Sequence, residues 1–140
     1  TIASVTGGSL FEIQPEQRYT AADLNWNDKK SRSTVEMNDE QSRPAIASRV
    51  EDMAQYDTVF VGFPIWWYQA PRIIEAFLEG YDFTGKTVIP FATSGSSGMG
   101  KTDSILKRCC SAETKWLPGK RLSSRESTAS VQKWVEGLGL

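Results

Sequence analysis

Two long apolar runs, each followed by a loop and then a helix-like segment, constrain the fold of this chain more than any other feature. Residues 57–64 read DTVFVGFP and residues 85–93 read GKTVIPFAT. Continuous runs rich in β-branched and aromatic residues are typical of strands buried on both faces, as the strands of a parallel sheet are. The sequence therefore predicts a mostly parallel β-sheet at the centre of the molecule.

The other patterns extend this alternation along the chain. In order, they predict a helix end at 1–8, a strand at 9–15, a long polar connection at 16–43, a helix at 42–56, the strand at 57–64, a helix at 71–83, the strand at 85–93, a helix at about 102–110, a short strand within 114–123, and a last helix N-capped by Ser123 or Ser124. Strands that alternate with helices indicate βαβ units, so we predict a single α/β domain over residues 1–140. Tyr19, Leu24 and Trp26 indicate that the polar connection is a flap packed on this domain.

Composition removes several classes of function. The formal net charge of -1 gives no general attraction for nucleic acid, and no apolar run approaches the roughly 18 residues of a membrane span. The chain has no histidine, which excludes Ser-His-Asp and Cys-His catalysis, and we assign no catalytic residue and no metal ligand. We expect the adjacent Cys109 and Cys110 to be free thiols in a reducing compartment, and we predict a cytoplasmic protein.

Residues 95–102 read GSSGMGKT and match the phosphate-loop pattern of nucleoside triphosphatases, in which glycine amides, a lysine and a Ser/Thr hydroxyl bind phosphates and magnesium. Such enzymes also need an aspartate at the tip of another buried strand to hold the magnesium ion. The predicted strands end in VFVGFP and VIPFAT, and neither tip carries a carboxylate. A phosphate-loop NTPase is therefore a weak alternative, and a plain Gly/Ser connection is another.

The stretch GFPIWWYQAPR, residues 62–72, places Trp66, Trp67 and Tyr68 directly after a strand end. Packing against the long polar connection is one explanation of these rings. The other is a wall for a planar heterocycle, because aromatic faces stack well on flat rings. This loop and the Gly/Ser loop at 93–101 both follow strand carboxyl ends, where open α/β sheets bind ligands. We expect the first loop to grip the face of such a ring and the second its edge.

The pattern FPIWW with a following proline after one strand, and ATSG with further glycines after the next, resembles the flavodoxin family, especially short bacterial flavodoxin-like proteins. The resemblance covers essentially the whole chain. It implies a flavodoxin-like three-layer α/β/α sandwich with a parallel sheet of strand order 2-1-3-4-5 and a bound FMN. One wall of the flavin site would be formed by Pro64, Ile65, Trp66, Trp67 and Tyr68. Amides and hydroxyls for the ring edge would come from Thr93, Ser94, Gly95, Ser96, Ser97 and Gly98.

Two parts of the family pattern have no counterpart in this sequence: the first strand and the Ser/Thr/Gly-rich phosphate loop that follows it. We therefore expect the domain to be N-terminally incomplete, with about 20–25 further residues in the natural protein. Without that strand, the predicted strand at 9–15 has no neighbour and backbone groups of the 57–64 strand stay unpaired. We expect this chain to bind FMN weakly or not at all.

The resemblance implies an FMN-binding electron-transfer protein whose partners are other redox proteins. The alternative on the same fold is an NAD(P)H-dependent reductase of FMN, quinones or nitro compounds, with Tyr19 and Trp26 of the long connection as a substrate wall. Classical flavodoxins are strongly acidic, so a net charge of -1 counts in favour of the reductase alternative. The electron carrier is our first expectation and the reductase our second.

Overall fold

The computed structural model describes residues 2–67, 69–93, 99, 102–123 and 125–140. Its helices are α1 (Ile2–Thr6), α2 (Arg32–Asn38), a 3₁₀ turn (Met53–Gln55), α3 (Arg72–Glu79), α4 (Thr102–Lys107) and α5 (Thr128–Gly137). Its strands are β1 (Thr58–Pro64), β2 (Thr87–Thr93), β3 (Lys115–Trp116) and β4 (Lys120–Leu122). Strands and helices alternate from β1 onward, as the sequence predicts for an α/β fold.

The four strands form one parallel sheet with β2 at its centre. β1 pairs with β2 along its whole length, from Thr58 opposite Thr87 to Pro64 opposite Thr93. On the other side of β2, β3 pairs with the beginning of the strand and β4 with its end. β3 and β4 therefore act as one interrupted edge strand, where the sequence predicts a single short strand within 114–123.

The interruption lies opposite Pro90, in the middle of the central strand. β3 pairs with β2 as far as Val88, and β4 begins to pair at Phe91. Proline has no N–H group, so a strand that runs past it loses a hydrogen bond of the ladder. Gly119, in the break, lies so close that a Cβ atom on it would come within 3.1 Å of the Pro90 Cγ atom. The edge strand thus breaks where the central strand has no hydrogen to donate.

The core lies between the sheet and the apolar face of α3, whose large aliphatic and aromatic side chains recur at helical spacing. The buried cluster comprises Val61, Phe63, Ala70, Ile73, Ile74, Phe77, Leu78, Phe83, Val88, Ala92 and Leu106. Successive side chains of a strand point to opposite faces of the sheet. On the other face, the Trp134 ring of α5 meets the rings of Phe60 and Phe91 edge-on. Both predicted strands and the predicted helix after β1 therefore supply the core as expected.

The predicted strand at 9–15 is wrong. This segment makes a single antiparallel bridge, between Pro15 and Ile46, and Leu10 is 88% exposed. The ring of Phe11 stacks on Phe77 of α3 with 6.1 Å between ring centres, so the segment packs on a helix. A strand needs a neighbour that satisfies its backbone groups, and β1 does not pair with these residues.

A cavity of about 1300 Å³ runs along β1. Side chains of β1, α1 and α5 line it, including Val59, Ile2 and Val135. Among the described residues, the edge of β1 that faces away from β2 has no partner strand. At the carboxyl end of β1 the cavity reaches Pro64 and Trp66. The cavity thus connects the open edge of the sheet with the loop that follows β1.

The predicted helix at 42–56 is also wrong, apart from the 3₁₀ turn. The amide of Ala47 donates to the carbonyl of Gln14 at 2.7 Å, and the amide of Glu16 donates to the carbonyl of Ala45 at 2.9 Å. These bonds between two distant segments replace the local bonds of a helix, a case in which tertiary pairing overrides local preference. The apolar residues that suggested a helix pack against the core instead, namely Ile46, Val50 and Met53.

The polar connection at 16–43 contains a helix that the sequence pattern does not reveal. This helix is α2, whose N-cap Ser31 accepts a hydrogen bond from the first turn. Most of its inward side chains are polar, so it shows no apolar period. Leu24 is exposed and Trp26 is 69% exposed, and the packing of the connection depends on α2 and Tyr19.

Both terminal helices are present. α1 confirms the predicted helix end at 1–8, and it is followed by a left-handed glycine, Gly7, at φ 72°. The N-cap of α5 is Ser127, whose side chain accepts a hydrogen bond from the Ser130 amide at 3.1 Å. The predicted caps were Ser123, which lies in the preceding turn, and Ser124, which lies outside the described residues.

Gly62 of β1 leaves room for the Phe91 ring of β2, and this contact gives a first prediction. A Cβ atom at Gly62 would lie 2.2 Å from the Phe91 Cζ atom, and Trp134 packs edge-on against the same ring. We expect Gly62→Ala to lower the free energy of unfolding by about 1–3 kcal/mol, measured by urea denaturation. Gly137→Ala is the matched control because a Cβ atom there meets nothing within 4 Å. Equal effects of the two substitutions would contradict the prediction.

The two adjacent cysteines give a second prediction. Burial raises the pKa of Cys109 to about 12, with a smaller contribution from Glu75, and burial raises the pKa of Cys110 to about 11. Because the thiolate is the nucleophile, we expect iodoacetamide at about pH 8 to alkylate the folded protein at least about 100-fold more slowly than the urea-unfolded chain. The rate should then climb steeply as the pH rises. Similar rates in the two states would show that the thiols are not protected.

Candidate functional site

The carboxyl ends of β1 and β2 lie side by side, and the two loops singled out in the sequence begin there. Pro64 is opposite Thr93 in the sheet register. Just beyond, the amide of Ile65 donates to the carbonyl of Thr93 at 3.2 Å. The structure therefore brings these three predicted site residues together at one edge of the sheet.

The chain then reverses between Trp66 and Gln69, and we call the described residues of this reversal, Trp66, Trp67 and Gln69, the aromatic turn. The Trp66 amide donates to the Gln69 carbonyl at 2.8 Å, and the Gln69 amide donates to the Trp66 carbonyl at 3.0 Å. Trp67 has φ 48°, in the left-handed region, and its side chain is 42% exposed. A bulky residue with this backbone is a genuine outlier, and such strain persists only where the surrounding structure enforces it.

The two tryptophans of the aromatic turn have different surroundings. Trp66 is partly buried, and the Tyr19 ring meets it edge-on with 5.6 Å between ring centres and an angle of 79° between ring planes. Trp67 has no ring partner among the described aromatic pairs. Trp66 therefore packs against Tyr19, whereas the ring of Trp67 is exposed. The sequence had left open which of these rings belongs to the packing.

Tyr19 is itself held by two residues of α2, Arg32 and Glu36. Its hydroxyl donates to Glu36 Oε1 at 2.5 Å, and the Arg32 guanidinium lies 3.8 Å from the centre of its ring. Arg32 Nε donates to the other carboxylate oxygen of Glu36 at 2.9 Å. Burial and the hydrogen bond to Glu36 raise the pKa of Tyr19 well above its usual range. Tyr19 therefore stays a neutral hydrogen-bond donor at any physiological pH.

Arg72 forms the second link between α2 and the aromatic turn. This residue begins α3 and is 3% exposed. Its guanidinium donates to the carbonyls of Glu36 and Met37, at 3.3 and 2.7 Å. It also donates to the Gln69 side chain at 3.3 Å and to the Glu75 carboxylate at 2.8 Å. The positive charge is therefore committed to partners inside the protein.

The remaining predicted site residues lie outside the described residues, namely Tyr68, Ser94, Gly95, Ser96, Ser97 and Gly98. On the far side of the Gly/Ser loop, Thr102 is fully buried and its hydroxyl donates to the carbonyl of Met99 at 2.5 Å. A phosphate-loop enzyme needs this hydroxyl on its magnesium ion. The geometry of Thr102 therefore counts against that alternative.

Two further features are absent from the described ranges. Within the described ranges, no group of three or more Cys, Asp and Glu side chains is placed to hold a metal ion. None of the helices in these ranges is both long and apolar enough to cross a membrane.

Sequence reasoning missed three residues that build this site: Glu36, Gln69 and Arg72. The contacts of Glu36 with Tyr19 and of Arg72 with Glu36 join segments far apart in the chain, so no local pattern reports them. Gln69 contacts Trp66 and Arg72, which are close in sequence, but a glutamine in a loop carries no distinctive pattern. Arg72 alone carries a usable signal, because a cation in the first turn of a helix faces the positive end of the helix dipole. Such a residue is expected to have specific partners that offset this cost.

Comparison with known proteins gives a family and two solved relatives. A family model described as Flavodoxin matches residues 1–138. The crystal structure of a candidate flavoprotein from Bacteroides eggerthii DSM 20697 is 46% identical, with TM-score 0.92, covering 99% of this chain and 86% of that one. A candidate flavoprotein from Bacteroides uniformis ATCC 8492 is 49% identical, with TM-score 0.90, covering 96% of this chain and 85% of that one.

A third solved structure shares the fold at low identity. It is a flavoprotein in complex with FMN from Lactobacillus acidophilus NCFM, 19% identical with TM-score 0.69, covering 99% of this chain and 86% of that one. A search of curated proteins finds no match. The family match spans nearly the whole sequence, and the two Bacteroides proteins agree with it in sequence and in structure. The chain therefore belongs to the flavodoxin family.

Proposed function

We propose that this protein binds FMN at the carboxyl ends of β1 and β2 and serves in electron transfer. The observation that carries the proposal is Trp67, which has a left-handed backbone and an exposed side chain and lies three residues after Pro64, the residue opposite Thr93. Backbone strain of this kind clusters at ligand sites because the surrounding structure must enforce it. An exposed indole fixed in this way is suited to a flat ring.

The residues at this edge of the sheet fit the flavin ring. Trp67 supplies an aromatic face, Trp66 anchors the turn, and Thr93 is exposed at the end of β2. FMN, when bound, supplies a ring that takes up and releases electrons. The protein would bind and orient this ring and exclude water from it. The full proposed set is Pro64, Ile65, Trp66, Trp67, Tyr68, Thr93, Ser94, Gly95, Ser96, Ser97 and Gly98.

The phosphate of FMN needs amide donors or a free cation. Arg72 lies near the aromatic turn, but its guanidinium is already bonded to Glu75 and to two carbonyls. We propose that a further strand of the natural protein, N-terminal to α1, pairs with the second edge of β1 and brings the phosphate loop with it. The apolar cavity along β1 supports this proposal, since it borders that edge.

The second candidate function is an NAD(P)H-dependent reductase of quinones or nitro compounds. Tyr19 lines the cavity and packs on Trp66, so the 16–43 connection covers one side of the proposed ring site. This cover favours a bounded substrate pocket. Steady NAD(P)H oxidation by the FMN-loaded protein with a quinone would select the reductase, and its absence alongside reduction by a redox protein would select the carrier.

FMN binding is the direct test of the proposal. We expect the full-length protein to bind FMN, seen as visible flavin absorption after purification or as quenched flavin fluorescence on titration. A colourless full-length protein that does not respond to added FMN would overturn the proposal.

Trp67 offers a sharper test in the full-length protein. Trp67→Gly removes the stacking ring but relieves the left-handed strain, so the two effects on folding stability oppose each other. We expect the free energy of unfolding to change by less than about 1 kcal/mol while FMN binding weakens about tenfold or more. Trp67→Phe, which keeps an aromatic face, should retain most of the affinity. Unchanged FMN affinity in Trp67→Gly would show that Trp67 does not contact the flavin.

A further inference from the structure

We propose that Tyr19 is a positioning residue for the flavin site: it fixes the aromatic turn through its contact with Trp66, so that Trp67 is presented to the ring. This inference rests on the proposed function. It assigns a specific task to the long connection at 16–43, which the sequence marks only as a packed flap.

The first step is the contact between Tyr19 and Trp66. The two rings meet edge-on with 5.6 Å between their centres, a favoured arrangement for aromatic pairs. Trp66 is adjacent to Trp67, and its amide and carbonyl both bond to Gln69 to close the turn. The orientation of the Trp66 side chain is therefore coupled to the backbone that holds Trp67 in its strained conformation.

The second step is the rigidity of Tyr19. Its hydroxyl is bonded to Glu36, its ring is covered by the Arg32 guanidinium, and these two charged groups are bonded to each other. Arg32 also donates to the carbonyl of Gln17 at 2.6 Å, which fastens the backbone just before Tyr19. Because the hydroxyl and the face of the Tyr19 ring are both held, the ring has little freedom to turn away from Trp66.

The third step is the other end of the turn. Arg72 binds the last carbonyls of α2 and the Gln69 side chain at the same time. The aromatic turn is thus attached to α2 at both ends, by Tyr19 at Trp66 and by Arg72 at Gln69. A turn attached at one end could relax its strain, whereas a turn attached at both ends keeps Trp67 in the left-handed region.

The hydroxyl of Tyr19 is bonded to Glu36, so Tyr19 acts on a bound flavin ring through its contact with Trp66.

The experiment compares Tyr19→Ala, Tyr19→Phe and the matched control Tyr81→Ala in the full-length protein. Tyr81 has an arginine, Arg49, 4.5 Å from its ring centre, and its hydroxyl accepts a hydrogen bond from an amide. It lies just beyond the opposite end of α3, away from the aromatic turn.

Two measurements separate positioning from simple stability. In the absence of FMN, amide hydrogen exchange at Trp66 and Gln69 should accelerate in Tyr19→Ala but not in Tyr81→Ala. With FMN, the dissociation constant should rise about two- to tenfold in Tyr19→Ala. This factor corresponds to the free energy of one edge-on aromatic contact. Tyr19→Phe keeps the ring contact with Trp66 but loses the hydrogen bond to Glu36, so its dissociation constant should lie between those of the unchanged protein and Tyr19→Ala.

The outcomes distinguish this inference from the proposed function. If the protein binds FMN and Trp67→Gly weakens binding, but Tyr19→Ala changes neither exchange nor affinity, the positioning role is refuted. If Tyr81→Ala has the same effects as Tyr19→Ala, the role is only structural and the inference also fails. If no variant and no unchanged protein binds FMN, the proposed function fails, and the exchange measurement still decides whether Tyr19 fixes the turn.

Discussion

The pairing of β1 with β2 is the interaction on which the rest of the molecule depends. Its register sets Pro64 opposite Thr93 and so brings two separate loops to one edge of the sheet. A slip of one residue would turn every side chain of β1 to the other face. Gly62 opposes such a slip, because the Phe91 ring crosses the strand where a side chain has no room. The fit between Gly62 and the Phe91 ring therefore fixes the register that places Pro64 opposite Thr93.

Around this edge, charged side chains are used for placement. Glu36 accepts from Tyr19 and from Arg32, and Arg72 is surrounded by acceptors although it is almost completely buried. Ion pairs removed from water contribute little net stability, since desolvation offsets much of their attraction. Their directional hydrogen bonds nevertheless define one arrangement of α2 relative to the aromatic turn. This arrangement explains why a segment poor in apolar residues still has a fixed place on the domain.

The parts of this fold that could be predicted are those in which a local pattern and its neighbours agree. The sequence pattern predicts the strands at 57–64 and 85–93 because burial on both faces requires continuous apolar runs. The segments at 9–15 and 42–56 carry equally good local patterns but pair with each other at Pro15 and Ile46, which no local pattern reports. The aromatic turn was visible as a cluster of rings, whereas the packing that distinguishes Trp66 from Trp67 comes from Tyr19, far away in the chain.

Pro90 has a consequence for how the sheet opens. Because the edge strand is broken opposite this residue, the two halves of β2 have separate support: β3 holds the beginning, and β4 holds the end that carries Thr93. β4 is joined by a short connection to α5, whose Trp134 packs on Phe91. Cooperative units of local unfolding follow such boundaries. The C-terminal segment should therefore loosen together with the end of β2 that carries Thr93, while the other half of the strand stays closed.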